Sequence, residues 1–202
     1  MTGLLSVAGS TPSDEGFELK SCRFDDTAAK KLTRTPSVAG NLKTWTISFW
    51  MKPAMPTTAS GQFYIFDSGG VSTTETAIMI VDQGIEWNYW SSVASSQLWK
   101  LKTNQVFRDQ SAWYHMVFVY DSPQATAANR LKMYVNGSQV TSFSTANYPS
   151  LNLNASVNDA YLHAIGSSAK TNIDWSGYLA QFYIIDGSAL TPSYFGETNA
   201  LT

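Results

Sequence analysis

Trp113-Tyr114-His115-Met116-Val117-Phe118-Val119-Tyr120, followed by Leu131-Lys132-Met133-Tyr134-Val135 and then Asn136-Gly137, decides the fold. The first run is apolar at odd and even positions alike. A strand of that kind lies in the middle of a sheet, covered on both sides or nearly so. The second run ends on Asn-Gly, the strongest short hairpin signal, because both residues accept positive φ. A return strand over 140–143 is expected.

Moving toward the N-terminus, Trp45-Thr46-Ile47-Ser48-Phe49-Trp50-Met51-Lys52 alternates, with Trp45, Ile47, Phe49 and Met51 on one face. Pro53 and Pro56 stop it. Residues 62–67 make another strand, ended by Ser68-Gly69-Gly70. Strands over 76–81 and 85–90 flank Asp82-Gln83-Gly84, a hairpin loop in which Gly84 is available for positive φ. A short amphipathic strand follows at 98–102. On the C-terminal side, 160–166 and 177–186 are strands. Thr191-Pro192-Ser193-Tyr194-Phe195-Gly196 reads as one helical turn, with Thr191 as N-cap, Pro192 at the first position and Gly196 as the stop.

No amphipathic helix of ten or more residues is present. About ten short strands between turns predict an all-β sandwich or barrel. Residues 1–19, rich in Gly, Ser and Thr, read as a flexible arm. Residues 20–202 form a single domain with no linker inside it.

Composition agrees. Charged residues are 14% of the 202, against a usual quarter. Sheets can wet their surfaces with Ser, Thr and Asn; long surface helices need charge. A chain of this length buries roughly 70% of its unfolded surface and requires no metal or disulfide to stand. Net charge is −2 with no basic stripe, which argues against nucleic-acid binding. No apolar run approaches the ~18 residues of a membrane span. The N-terminal stretch lacks the charge and apolar core of a signal peptide. Cys22 is the one cysteine, so no internal disulfide forms, and assembly inside a cell is expected.

Catalytic chemistry finds little support. His115 and His163 both sit within strand patterns, where a hydrogen-bonded core histidine outweighs a catalytic base. Cys22, in a short strand beside Ser21 and Arg23, reads as a small buried apolar residue. The densest acidic group, Asp14, Glu15 and Glu18, lies in the irregular arm and reads as a solvated tail. No catalytic residue is assigned.

The aromatics offer more. Alternation over 85–90 puts Ile85, Trp87 and Tyr89 on one side and Trp90 on the other. Both sides cannot face one core, so a ring must meet a loop, a subunit or a ligand. The irregular stretches 91–97 and 144–159 are the natural contact loops. The candidate contact residues are therefore Trp87, Tyr89, Trp90 and Trp99, with Tyr148 as a neighbour. Burial of the ring by a loop of the same chain competes with this assignment.

Three stretches carry a family resemblance: WTISFWMKP at 45–53, WYHMVFVYD with RLKMYVNG within 113–137, and Ile165-Gly166 with GYLAQFYIIDGSALTPSYFG at 177–196. Together they resemble the laminin-G-like and pentraxin-like branch of the concanavalin A-like lectin/glucanase superfamily. The closing element resembles domains that recur in structural proteins of tailed bacteriophages. The resemblance implies a jelly roll of two antiparallel sheets, and it places Trp45, Trp113 and Trp175 inward. It implies adhesion, sugar binding or virion architecture. The superfamily's glucanases are similar to one another in a Glu-x-Asp-x-Glu or Glu-x-Asp-x-x-Glu strand, which this chain lacks.

Relatives often hold calcium at one rim of the sandwich, and Asp25, Asp26 and Asp67 are the matching candidates; the alternative is that they serve turns. No cofactor is required on this view. The expected protein is a non-catalytic structural or adhesion domain of a phage particle, assembled in the host cytoplasm. Its partners would be other virion proteins, further copies of itself, or a cell-surface glycan. A carbohydrate-binding module of a bacterial surface or secreted protein is second, and a glycan-cleaving enzyme a distant third.

Overall fold

The computed structural model describes residues 21–25, 30–54, 61–69, 74–171 and 173–196. The arm at 1–19, with its acidic group, and Asp26 lie outside them. Among the described residues, thirteen strands follow in chain order. They are β1 (Ser21–Phe24), β2 (Leu32–Arg34), β3 (Thr44–Pro53), β4 (Gln62–Gly69), β5 (Glu75–Val81), β6 (Gly84–Ser91) and β7 (Ser96–Val106). Then come β8 (Tyr114–Asp121), β9 (Leu131–Val135), β10 (Ser138–Gln139), β11 (Phe143–Asn147), β12 (His163–Ile165) and β13 (Gly177–Asp186). The only helical elements among the described residues are single 3₁₀ turns at Ala127–Asn129 and Pro192–Tyr194.

Two antiparallel sheets pack face to face as a jelly-roll sandwich. The six-stranded sheet runs β1-β13-β3-β8-β9-β10, and the seven-stranded sheet runs β11-β7-β6-β5-β4-β12-β2. Alternation works as the pattern demands: Trp45, Ile47, Phe49 and Met51 of β3 are all buried. Aromatic rings knit the sheets together. Trp45 stacks on Tyr120 at 4.9 Å, and Trp87 meets Trp45, Trp99 and Phe118 edge-on.

Central strand β8 is covered on its second face by the chain's own end. Phe195, just past the closing turn, packs on Val117, Val119 and Tyr134. Buried Thr46 anchors that return, donating to Ser188 O at 2.7 Å and accepting from the Leu190 N–H at 2.9 Å. This explains why β8 is apolar on both sides.

Local expectations fail in several places. In the 82–84 hairpin the positive φ falls on Asp82 (51°) and Gln83 (71°), while Gly84 belongs to β6. The return strand after Asn136-Gly137 is only Ser138–Gln139; residues 140–142 are not strand, and the chain crosses to the other sheet, where Phe143 begins β11. Strand 160–166 shrinks to His163–Ile165, and 98–102 extends to Ser96–Val106. Thr191 makes no capping bond to the backbone; its hydroxyl meets Ser193 Oγ. Trp113 precedes β8 and is only half-buried, near Tyr178. Cys22 is exposed, because β1 is an edge strand with one face to solvent.

Gly177 is a position that only glycine fits. Gly177 begins β13 at φ +149°, and a Cβ there would lie 2.4 Å from Lys52 O and 2.9 Å from the Trp175 ring. The carbonyl belongs to β3 and cannot withdraw without breaking the ladder. Gly177→Ala is therefore expected to cost about 2 kcal/mol, read as a lowered urea midpoint with an unchanged slope. A midpoint equal to wild type would show that the strand start yields freely.

Candidate functional site

The outward face of the seven-stranded sheet collects the chemistry. Strand register sets it out in rows. Gln97, Trp90, Glu75 and Gly69 lie across β7, β6, β5 and β4. The next row holds Lys100, Asn88, Ala77 and Asp67. The third holds Lys102, Glu86, Met79 and Tyr64. Period-two alternation puts these side chains opposite Trp87, Tyr89, Trp99 and Leu101, which fill the core.

Most of the polar groups are paired with one another, though Asp67 Oδ1 is buried without a hydrogen-bond partner. Asn88 Nδ2 donates to Glu86 Oε1 at 2.8 Å, and Lys100 Nζ lies 2.7 Å from Glu86 Oε2. Glu75 accepts from the Tyr64 hydroxyl at 3.3 Å and pairs with Lys170 Nζ at 2.6 Å. Asp67 Oδ2 accepts from Ser168 Oγ at 3.1 Å and from the Ala169 N–H at 2.7 Å. Burial, then the Glu75 charge, pushes the Asp67 carboxyl up to about 7. Burial, then the Glu75 and Asp67 charges, pushes the Tyr64 phenol upward.

Of the predicted contact residues, Trp90 keeps an open ring, 41% exposed, directly across from Glu75. Trp87, Tyr89 and Trp99 are buried and unavailable as a surface. The reason is register: they point inward from β6 and β7, against Trp45, Phe118 and Tyr120. Tyr148 is half-buried and packs on the core. Its segment, 144–159, is not a free loop. Ser156 Oγ donates to Ser68 O at 2.7 Å and accepts from the Thr76 N–H at 2.9 Å, plugging one end of the sandwich. Loop 91–97 narrows to a tight connection between β6 and β7, with Val93 exposed.

Sequence reasoning missed Glu86 and Asn88, although the alternation that singled out Trp90 places them on its face. It also missed Lys170, which no local pattern connects to Glu75.

The described calcium candidates, Asp25 and Asp67, are not brought together. Asp25 pairs with Lys30 at 2.5 Å, and Asp67 belongs to the other sheet. Among the described residues no three His, Cys, Asp or Glu side chains gather to hold a metal. Calcium needs six to eight oxygens, and an ammonium already lies on Glu75.

Acid–base hydrolysis is equally poorly served. Glu75 and Glu86 sit four positions apart along β5, about 13 Å, beyond either glycosidase spacing. Asp67 and Glu75 are diagonal neighbours, but Asp67 has no exposed surface to meet a substrate. His115 Nε2 lies 2.9 Å from Ser48 Oγ, buried beneath Phe195 on the other sheet. His163 uses both ring nitrogens, on Tyr161 O and the Asn158 N–H. Burial lowers the pKa of each histidine.

A concavity of about 440 Å³ opens beside β2, floored by Phe66, Phe182, Ile165 and Ile184. It contains none of the predicted contact residues.

Solved structures share this architecture. A native heptameric SAP-like pentraxin from Limulus polyphemus matches with a TM-score of 0.56 and 19% identity, over 85% of this chain and 77% of that one. The binding domain of Paraclostridial Mosquitocidal Protein 1 matches at 0.61 and 14%, over 86% of this chain and 41% of that one. The CBM40 of Ruminococcus gnavus IT-sialidase, bound to α2,3-sialyllactose, matches at 0.53 and 11%, over 82% and 95%. This chain thus spans less than half of the toxin's binding domain. No curated protein matches it by sequence. The family profile described as the concanavalin A-like lectin/glucanases superfamily matches residues 25–193, and the chain belongs to that laminin-G-type family.

Proposed function

We propose that this chain is a non-catalytic binding domain that takes a glycan on the outward face of its seven-stranded sheet, carried on a bacteriophage particle. The carrying observation is the open Trp90 ring beside Glu75, Gln97 and Asn88 on a rigid sheet. A sugar's apolar face stacks on an indole, while its hydroxyls bond to carboxylate and amide groups alongside. Support comes from the neighbours, named as a toxin binding domain and a sialyllactose-bound CBM40. The phage assignment rests on the resemblance of the closing motif. Contacts with further copies or with other virion proteins belong to the same proposal.

Trp90→Ala tests it on a glycan array. Affinity for the glycan hit is expected to fall roughly tenfold or more, as for an anchoring aromatic. The melting temperature should stay within about 2 °C, as for an exposed position. Unchanged glycan binding in the variant, or no hit for wild type, would refute the site.

A further inference from the structure

We propose that the concavity beside β2 is a binding site for a small organic acid with an apolar body, its carboxylate held by Arg34. The opening lies on the inward side of the seven-stranded sheet, so the proposal stands apart from any glycan on Trp90.

Strand register builds the walls. Phe66, Ile165 and Leu32 form one row across β4, β12 and β2, and Ser68, His163 and Arg34 form the row two residues along. Phe66 belongs to the core, so alternation turns both rows toward the facing sheet. From that sheet, β13 supplies Phe182 and Ile184. Yet Leu32, on an inward row, is 54% exposed, and Val38, which also lines the opening, is 78% exposed. The sandwich is under-filled where β2, an edge strand of three residues, ends the sheet. The space left is about 440 Å³, within the roughly 300–1,000 Å³ of small-molecule sites, which are likewise apolar with a few polar groups.

The polar groups around the opening select the charge of the ligand. His163 has both ring nitrogens engaged, and burial disfavours its charged form. Asp186 Oδ1 accepts from the Asn41 N–H at 2.7 Å and from Asn158 Nδ2 at 3.0 Å. Arg34 is exposed, and none of the ion pairs among the described residues engages it. A guanidinium on an inward row, with an apolar floor beside it and no acid paired to it, offers its fork of N–H donors to a carboxylate. An inward charge on an edge strand also deters pairing with another sheet; if that were its whole role, nothing would bind.

Titration calorimetry with dodecanoate and with 2-naphthoate tests the site, one acid offering a linear body and the other a ring. Wild type is expected to bind at least one of them, with amide NMR shifts confined to residues 32–34, 163–165 and 182–186. R34Q should weaken that binding roughly tenfold, the loss of a charged hydrogen bond, and R34K should bind more tightly than R34Q. L32W, placed at an exposed position, should fill the opening and abolish binding. Should L32W fail to fold, the shifts and R34Q decide. The proposal is overturned if wild type binds neither acid, if the shifts fall elsewhere, or if R34Q or a folded L32W binds as wild type does.

Discussion

Trp87→Ala is expected to destabilise the fold by about 3–5 kcal/mol, a large part of the ~5–15 kcal/mol that holds a typical domain together. Trp87 is fully buried, and it is a bridge between the sheets. It reaches from β6 of one sheet to Trp45 of β3 at 5.9 Å and Phe118 of β8 at 5.4 Å in the other, with Trp99 alongside at 5.0 Å. Those neighbours are pinned by their own ladders, so they cannot collapse into the space left behind. The variant therefore loses the transfer free energy of the indole and keeps a cavity. Urea denaturation of the two proteins side by side measures the loss. A cost below about 1.5 kcal/mol would mean that the aromatic layer repacks, and that Trp87 is not the bridge described. Three residues further along the same strand, Trp90→Ala is expected to leave stability almost untouched.

The second large effect is pH dependence through Asp67. In the folded chain its carboxyl titrates near 7, against an ordinary value of 3.8, chiefly because burial penalises the charge. Between those values the folded state holds a proton that the unfolded state has released. Stability from this group is therefore complete below about pH 4 and is lost as pH rises through 7. At 1.36 kcal/mol per tenfold change in proton affinity, the swing is on the order of 4 kcal/mol. The buried histidines act with the opposite sign. Burial depresses their pKa values, so they cost stability as pH falls below 6.5 and the unfolded chain takes up their protons.

Asp67→Asn separates the two. Asparagine keeps an acceptor for the Ser168 hydroxyl and the Ala169 N–H but cannot ionise. The variant should match wild type near pH 4.5 and become progressively more stable than it toward pH 8.5. Chemical denaturation across that range measures the difference. A difference that stays flat with pH would show that Asp67 does not change its ionisation there.

The fold was legible because its determinants are local. A strand's side chains alternate whatever lies around it, so 45–52 and 85–90 announced their faces, and Trp90 separated from Trp87 and Tyr89 on sequence grounds alone. Asn136-Gly137 likewise needs only its own φ angles, 49° and 82°. The errors came where a partner strand decides. Gly84 did not supply the positive φ, because its backbone was required opposite Val106. Residues 140–143 had strand-like composition but left one sheet for the other. Cys22 looked buried by residue type and is exposed because β1 lies at an edge.

From the sequence alone came the all-β class, the inward faces, most of the hairpins and the one aromatic of the 85–90 strand that points away from the core. Tertiary structure alone decided which charges meet. Glu75 and Lys170 belong to β5 and to the connection between β12 and β13, and Asp67 is sealed by that same connection. Period and turn chemistry act over a few residues, whereas an ion pair requires two distant backbones to arrive at one place. That arrival is set by strand order and by the loop that crosses the sheet, neither of which leaves a local mark on the residues it joins.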